Sequence, residues 1–218
     1  MQFELLTIFP KIFESYFNTS IIKRAQENQQ VKIKVHDLRK WTKDKHKTVD
    51  DRPYGGGPGM ILKVEPIYQA LNYLKKGKVL PKIILLTPQG KQFTQKQALK
   101  LSKEKRIILI CGHYEGYDAR IKNFVDEEIS LGPYILTGGE VPAMALIDSV
   151  TRLIPGVIKQ ESLAEETFNF KNKKEYPQYT RPEVFTYRDN SGKMKKIKVP
   201  SILLSGNHQK IKEWKNKN

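Results

Sequence analysis

Short runs of β-branched and apolar residues alternate with segments of helical spacing along most of this chain, and that alternation restricts it to a few folds. The strand-like runs cover residues 3–9, 31–38, 82–87, 106–111 and 124–131. The segments with helical spacing cover residues 12–29, 66–75, 94–105 and 142–153. Strands that are apolar throughout are typical of parallel sheets with helices on both faces. We therefore predict an α/β domain with a mostly parallel sheet and flanking helices.

Three glycine-bearing segments border the predicted strands where a ligand is expected. They are Thr87-Pro88-Gln89-Gly90, residues 111–116 and residues 131–140. Open parallel sheets bind ligands at the loops that leave the carboxyl ends of their strands. Because these segments meet at one edge of the sheet, the sequence predicts a pocket there.

The character of the chain changes after Gly156, where a polar and charged stretch begins. We predict a catalytic domain over residues 1–158, an interdomain linker over 159–175 and a small C-terminal domain over 176–218. That domain is expected to contain Pro-rich extended segments, a basic turn at residues 190–193 and a short helix from near Asn207 that holds Ile211 and Trp214.

Charge and composition narrow the class of partner. The 218 residues include 39 basic and 23 acidic side chains, a formal charge of +16, which favours a polyanion such as RNA, DNA or an acidic membrane surface. A general bias toward lysine could also account for part of this excess. No apolar run approaches the roughly 18 residues of a membrane span, and the N-terminus lacks the pattern of a signal peptide, so we expect an intracellular protein. One cysteine and four scattered histidines show no metal-ligand spacing, and no metal is expected.

Individual segments suggest chemistry, each beside a plainer interpretation. The glycines at residues 50–60 allow the backbone to approach a ligand, although the segment fits neither phosphate-binding fingerprint and could be a mobile surface loop. Tyr114 could line a base slot and Glu115 could accept from the donor edge of a base, or both could belong to an ordinary turn. Arg152 could form a phosphate or base fork, or could only oppose a helix dipole.

Together these segments resemble the bacterial TrmD family, the tRNA (guanine-N1)-methyltransferases that act on guanosine 37 beside the anticodon. The resemblance runs over nearly the whole chain, in the family's order. It rests on Ile8-Phe9-Pro10, residues 48–60, Pro88-Gln89-Gly90, Gly112 with Tyr114-Glu115-Gly116, Leu136 with Gly138-Gly139-Glu140, Pro142-Ala143-Met144, residues 152–157, residues 179–184 and Leu204-Ser205-Gly206-Asn207-His208.

The resemblance implies a SPOUT-type α/β fold, in which the chain threads a trefoil knot against the usual rule, plus a small, mainly helical C-terminal domain. It also implies a cytoplasmic homodimer that binds the tRNA anticodon stem-loop, with no membrane or DNA partner. The cofactor would be S-adenosyl-L-methionine. The residues carried over for binding it are Pro88, Gly112, Tyr114, Leu131, Gly132, Pro133, Tyr134, Ile135, Leu136, Gly138 and Gly139.

The family's chemistry also implies catalytic and substrate-binding residues. Guanine N1 must lose a proton before it attacks the methyl group, so a general base is required, together with a donor to the charge that develops on O6. Where the family usually has a linker Asp, this chain has Glu166, which we take as the base, with Glu165 as second choice. Arg152 matches the family's Arg, and Glu115 completes the catalytic set. Asp50, Gly59 and Arg152 would contact the target base and its neighbour.

Three departures from the family pattern bear on the site. His113 stands where an Arg is common, and Pro133 stands where an acidic residue is common. Residues 187–198 form a longer segment than usual, whose lysines could supply phosphate contacts. Two other functions remain open at this point: a knotted ribose 2′-O-methyltransferase, and an RNA-binding protein that has lost its catalytic base.

Overall fold

The computed structural model describes residues 1–159 and 176–217, which belong to two compact units. Glu165, Glu166 and the predicted linker beyond residue 159 lie outside the described residues. The division into the domains 1–158 and 176–218 stays a prediction.

A five-stranded parallel sheet forms the centre of the first unit, with strand order β2-β1-β6-β5-β7. Its strands are β1 Gln2–Thr7, β2 Lys32–Asp37, β5 Lys82–Gln92, β6 Arg106–Cys111 and β7 Glu127–Ser130. A separate antiparallel pair consists of β3 Asp50–Asp51 and β4 Ile61–Leu62.

Helices cover both faces of the sheet. The α-helices of this unit are α1 Glu14–Phe17, α2 Ser20–Glu27, α3 Val64–Leu74, α4 Gln95–Leu101 and α5 Glu140–Thr151. Short 3₁₀ helices occupy Pro10–Phe13, Leu38–Trp41 and Ala119–Phe124. Buried residues of α2, α4 and α5 join one hydrophobic cluster, and those of α3 join another.

The two clusters follow from the apolar strands predicted by the sequence. Along β6, Ile107 and Leu109 belong to the cluster that contains α5, whereas Ile108 and Ile110 belong to the cluster that contains α3. Successive side chains of a strand point to opposite faces, so an uninterrupted apolar strand supplies a core on each side of the sheet. The predicted parallel α/β sheet is confirmed.

Two elements differ from the sequence prediction. Residues 88–90 lie inside β5 rather than in a loop after it, and β5 shifts its register against β7 between Leu86 and Lys91. Gly90 permits this close pairing, because a Cβ there would lie 2.5 Å from the backbone nitrogen of Ile129. The helix predicted over 12–29 is divided into a 3₁₀ turn, α1 and α2, with Ser20 at a φ of 50° where α2 begins.

A buried ion pair ties the amino end of the sheet to the end of α3. Glu4 of β1 is only 2% exposed and accepts hydrogen bonds from Nε and Nη2 of Arg106, which also donates to the carbonyl of Leu74. Burial by itself raises the pKa of Glu4, but the neighbouring His36, 3.7 Å away, together with the hydrogen bonds and positive charge of Arg106, outweighs it and lowers the pKa to about 2. The carboxylate is therefore charged in the folded protein at neutral pH.

The second unit contains a β-hairpin followed by helices. Its elements are β8 Val184–Arg188, β9 Met194–Lys198, α6 Ser201–Leu204 and α7 His208–Lys217. The predicted turn at 190–193 is the hairpin turn, where Asp189 Oδ1 accepts from the backbone nitrogens of Ser191 and Lys193. The helix expected from near Asn207 is α7. The mainly helical prediction thus describes the part after Pro200, and residues 184–198 add the hairpin.

Candidate active site

A cavity of about 620 Å³ lies at the carboxyl edge of the parallel sheet, where the sequence predicted a pocket. Its walls come from the middle of β5, the segments after β6 and β7, and the start of α5. The lining residues are Leu86–Gln89, Gly112–Tyr117, Ala119, Lys122, Ile129–Gly132, Tyr134–Gly139 and Pro142. The volume lies within the range of about 300–1,000 Å³ that small-molecule sites occupy.

The structure gathers nearly all of the predicted cofactor residues around this cavity. Of the set predicted from the sequence, every residue except Pro133 lines it. Pro133 is exposed on the same loop. Asp50 and Gly59 are outside the lining, although the contacts described below bring them to its rim.

The end of β6 and the start of α5 meet so closely that only glycine fits. The backbone nitrogen of Gly139 donates to the carbonyl of Gly112 at 2.7 Å. A Cβ on Gly139 would lie 2.6 Å from Cα of Cys111 and 2.7 Å from the nitrogen of Gly112. This contact fixes the first turn of α5 against the cavity wall, so the glycine pair predicted for cofactor binding also has a packing reason.

A buried carboxylate supports the wall from behind. Glu140 is 3% exposed, and it accepts a 2.7 Å hydrogen bond from the hydroxyl of Thr7. Its other oxygen lies 3.7 Å from Nδ1 of His113, whose ring meets that of Phe9 edge-on at 4.8 Å.

Burial, followed by the nearby Glu140 charge, raises the pKa of the Cys111 thiol well above its usual range. Cys111 is therefore a neutral core residue rather than a nucleophile.

Tyr114 adopts a backbone conformation that costs free energy. Its φ is 58°, in the left-handed region that side-chain-bearing residues rarely occupy, at a cost of about 1–2 kcal/mol. Its ring is 43% exposed at the cavity. Burial and the carboxylate of Asp50 raise the pKa of Tyr114, while Arg39 opposes that shift. Tyr114 is therefore a neutral aromatic side chain presented to a ligand, with Asp50 near it.

The segment from Asp50 to Leu62 is joined to the cavity rim by backbone hydrogen bonds. Glu115 donates to the carbonyl of Met60 at 3.0 Å, and Leu62 donates to the carbonyl of Gly116 at 3.0 Å. Gly59, at a φ of 77°, packs against Glu115 so closely that a Cβ would lie 2.5 Å from its Cγ. Two predicted site residues, Gly59 and Glu115, are therefore neighbours, and a third, Asp50, pairs with Leu62 in the same segment.

Sequence reasoning missed several residues of the cavity. Tyr117, Lys122, Ile129 and Ser130 line it. The Tyr117 hydroxyl donates to Glu128 at 3.3 Å. Burial raises the pKa of Tyr117, Glu128 raises it further, and Thr87 and Lys122 oppose the shift. Tyr117 follows the glycine loop directly, and Ser130 ends the strand before the predicted loop. Their position beside those loops was the available signal.

Arg152 lies at the other end of α5 from the cavity. It caps the C-terminus of this 12-residue helix, whose N-terminus carries Gly139. At 1.5 Å per residue the two ends are about 18 Å apart. The described residues of one chain therefore do not bring Arg152 to Glu115.

Among residues 1–159 and 176–217, we find no group of three or more metal-ligating side chains and no helix of the length and apolarity that a membrane crossing requires.

Known proteins match the chain over its whole length. The family model described as tRNA (Guanine-1)-methyltransferase TrmD matches residues 1–218. A tRNA (guanine-N(1)-)-methyltransferase of Dictyoglomus turgidum is 51% identical over 100% of this chain and 84% of its own length. The protein of the same name from Bacillus subtilis is 49% identical over 100% of this chain and 86% of its own.

A solved structure matches the fold as well. The crystal structure of tRNA (m1G37) methyltransferase from Aquifex aeolicus is 42% identical, with a TM-score of 0.80 over 99% of this chain and 87% of that one. This match confirms the predicted SPOUT-type α/β fold.

Proposed function

Because this chain belongs to the TrmD family of tRNA (guanine-N1)-methyltransferases, we infer that the methyl donor is S-adenosyl-L-methionine and that the target is guanosine 37 of tRNA. The protein is an enzyme that transfers a methyl group to N1 of guanine in tRNA. The donor, the position in the tRNA and the catalytic residues are the proposal. The observation that carries it is the glycine-lined cavity with Glu115 at its rim.

The cavity residues suit the proposed donor. A nucleoside needs close backbone approach, which Gly112, Gly138 and Gly139 allow because they have no side chains. Leu136 and Tyr134 offer apolar contacts, and the backbone groups of residues 131–139 offer hydrogen bonds to a base and a ribose. When bound, S-adenosyl-L-methionine supplies an electrophilic methyl group on its sulfonium.

In this proposal Glu115 recognises the target base. Its carboxylate stands beside Gly59, on the side of the cavity that the 50–62 segment borders. The edge of guanine that carries N1 and N2 has only hydrogen donors at those atoms, and an ionised carboxylate is an acceptor. Glu115 thus selects guanine and holds it while the proton on N1 is removed.

Glu166 removes that proton in this proposal. At neutral pH guanine N1 carries a proton, and the nitrogen is a poor nucleophile until the proton is lost. A carboxylate of the predicted linker, residues 159–175, can accept it, and Arg152 then stabilises the negative charge that moves onto O6.

A homodimer would bring Arg152 to the site. Val141, Asp148 and Arg152 share the outward side of α5, and exposed Phe9, Ile12 and Tyr16 lie on the neighbouring segment, where Tyr16 donates to Asp148 at 2.5 Å. In a two-fold contact each surface meets its own copy. If two α5 helices pack antiparallel across this apolar face, the C-terminus of one meets the N-terminus of the other. Arg152 would then reach the partner's cavity.

The C-terminal unit and the basic charge complete the proposal. We expect the unit to bind the anticodon stem-loop, because residues 176–218 contain ten basic and three acidic side chains, an excess of positive charge that favours a polyanion. The enzyme would act in the cytoplasm, where its substrate is found.

The test compares substrates and two neighbouring glutamates. Methyl transfer is measured with a tRNA that carries guanosine at position 37 and with the same tRNA carrying adenosine there, and only the first should be methylated. Glu166→Gln should lower turnover at least about 100-fold with cofactor affinity unchanged. Glu165→Gln is the matched control and should retain activity. Equal methylation of both tRNAs, or full activity of Glu166→Gln, would refute the corresponding part of the proposal.

A further inference from the structure

The β8–β9 hairpin presents two chemically different faces to solvent. The register pairs Phe185 with Ile197 and Tyr187 with Lys195, whereas Thr186 pairs with Lys196 and Val184 with Lys198. Directly paired side chains share a face, and neighbours along a strand alternate between faces. One face, the aromatic face, therefore carries Phe185, Tyr187, Lys195 and Ile197. The other, the basic face, carries Val184, Thr186, Arg188, Met194, Lys196 and Lys198.

The aromatic face carries two nearly parallel rings and an exposed aliphatic side chain. The rings of Phe185 and Tyr187 are nearly parallel, at 12°, with centroids 6.1 Å apart. Phe185 is 53% exposed, Tyr187 39% and Ile197 57%. Exposed apolar side chains that adjoin one another on one face are typical of a surface that binds a partner. Lys195 pairs directly with Tyr187 across the hairpin, so the aromatic face also carries a positive charge.

The charge on the hairpin indicates the kind of partner. Arg188, Lys193, Lys195, Lys196 and Lys198 oppose only Glu183 and Asp189 between residues 183 and 199. Asp189 lies 3.8 Å from Nζ of Lys195, and it also holds the turn through Ser191 and Lys193. The core of a protein–protein interface is depleted of charge, and a second copy would set these cations against each other. A polyanion with exposed bases fits both faces.

We propose that this hairpin is an RNA-contact element in which the aromatic face stacks on unpaired nucleotides of the tRNA and the basic face contacts phosphates. The proposal deepens the proposed function and rests on its choice of tRNA as substrate. Aromatic side chains on exposed strands stack on bases that leave the helical stack, as loops of RNA offer. A two-stranded ribbon placed between a loop and the adjoining stem uses both faces at once.

The aromatic face is tested by exchanging rings for aliphatic side chains. The double variant Phe185→Leu/Tyr187→Leu keeps apolar area but removes both stacking surfaces. We expect at least about a fivefold loss of tRNA affinity, with an unchanged salt dependence of binding. Tyr187→Phe keeps the ring and should bind as the wild type does. Loss of affinity in Tyr187→Phe as well would overturn stacking in favour of a role for the hydroxyl.

The basic face is tested through the salt dependence of the same equilibrium. Lys196→Ala/Lys198→Ala should make the negative slope of log K against log salt shallower by about 1.5, because each lost phosphate contact removes roughly 0.7–0.9 from its magnitude. The matched control is Lys76→Ala/Lys78→Ala. It removes two exposed lysines just after α3, beside the amino end of β6 and away from the cavity edge. It should change the slope by much less.

The readouts separate this proposal from the proposed function. Binding is measured with a tRNA that carries adenosine at position 37, so it needs no methyl transfer, and cofactor affinity is measured separately. The hairpin variants should raise the KM for guanosine-37 tRNA and leave kcat and cofactor affinity unchanged. Wild-type affinity in both double variants would overturn the hairpin proposal, whatever the wild-type enzyme methylates. If the leucine variant instead loses binding to a second copy or to another protein, the choice of RNA is overturned.

Discussion

The two units of this protein hold their functional side chains by different means. In residues 1–159, hydrophobic clusters on both faces of the sheet surround the strands that carry the cavity. In residues 176–216, no described side chain is buried. Packing therefore fixes the geometry of the cavity, whereas turn hydrogen bonds and strand pairing fix the hairpin. A unit of the second kind, with few buried apolar contacts, opens locally at a lower free-energy cost.

The same contrast appears in the charges. Glu4 and Arg106 form a buried ion pair within the core of the first unit, whereas Asp189 and Lys195 form an exposed pair on the hairpin. Removing one member of a buried ion pair strongly lowers the free energy of unfolding, whereas an exposed pair contributes only about 0–1 kcal/mol to it. Each comparison below changes one residue type in both units.

The largest expected difference comes from truncating a leucine in each unit. Leu85 is fully buried in β5, and Leu204 is 49% exposed in α6. Leu85→Ala should lower the free energy of unfolding of the first unit by about 2–5 kcal/mol, because it removes packed atoms and leaves a cavity. Leu204→Ala should change stability by no more than about 0.5 kcal/mol.

Urea unfolding followed by tryptophan fluorescence resolves the two units, because each contains one tryptophan. Trp41 packs beside the cluster that contains Leu85, and Trp214 packs near Tyr179 at 6.4 Å. Trp214→Phe reports on the first unit and Trp41→Phe on the second. Equal shifts in the two midpoints would contradict the difference in packing.

A smaller difference is expected in the acid response of two carboxylates. The pKa of Glu4 is about 2 in the folded protein and near 4.5 when unfolded, so its contribution is present above pH 4.5 and is lost as the pH falls to 2. That shift corresponds to about 3 kcal/mol. Glu4→Gln should lose this amount at neutral pH, and the gap to the wild type should close between pH 4.5 and 2.

Asp189 provides the matched carboxylate on the hairpin. Hydrogen bonds from Ser191 and Lys193 lower its pKa, but it is solvent-screened. Asp189→Asn should therefore leave the acid unfolding of the first unit unchanged. Chemical shifts of the turn should titrate below the usual pH range for Asp. An acid profile of Glu4→Gln that runs parallel to the wild type at every pH would show that the pair does not act through Glu4.

Sequence patterns predicted the sheet well because its determinants are local. Apolar runs and glycine-bearing turns are readable in the chain. Ten of the eleven cofactor residues that the family resemblance implies line one cavity. The extension of β5 through Pro88 to Gln92 was missed, since a Pro-Gln-Gly sequence is typical of a turn. It depends on the approach of β7 to Gly90, which is a non-local contact.

The parts of the site that come from distant segments were less predictable. The contact of Gly59 with Glu115 depends on pairing between Leu62 and residues 116–118, which no local pattern reveals. The placement of Arg152 at the far end of α5 depends on the length of the helix, and the proposed role of Arg152 depends on a second chain. Glu166 lies outside the described residues, so its role stays a prediction.

The last comparison adds one methyl group to a glycine in each unit. Its two variants are expected to differ least in stability and most in ligand binding. Gly139→Ala would place its Cβ 2.6 Å from Cα of Cys111, a backbone atom that cannot turn aside. Overpacking of this kind costs about 1–3 kcal/mol. The start of α5 must shift away from Gly112, so affinity for the proposed donor, S-adenosyl-L-methionine, should fall at least about tenfold, or about 1.4 kcal/mol.

Gly192→Ala is the control for the added methyl group. Gly192 has a φ of 80°, and a Cβ placed on it would meet nothing within 4 Å, so the change strains only the hairpin turn, by about 1–2 kcal/mol. It should leave cofactor affinity unchanged and weaken tRNA binding slightly. Calorimetric titration of both variants with S-adenosyl-L-methionine measures the difference. Since the cavity is held by packing and the hairpin is not, equal cofactor affinity in the two variants would mean that the contact between β6 and α5 does not shape the pocket.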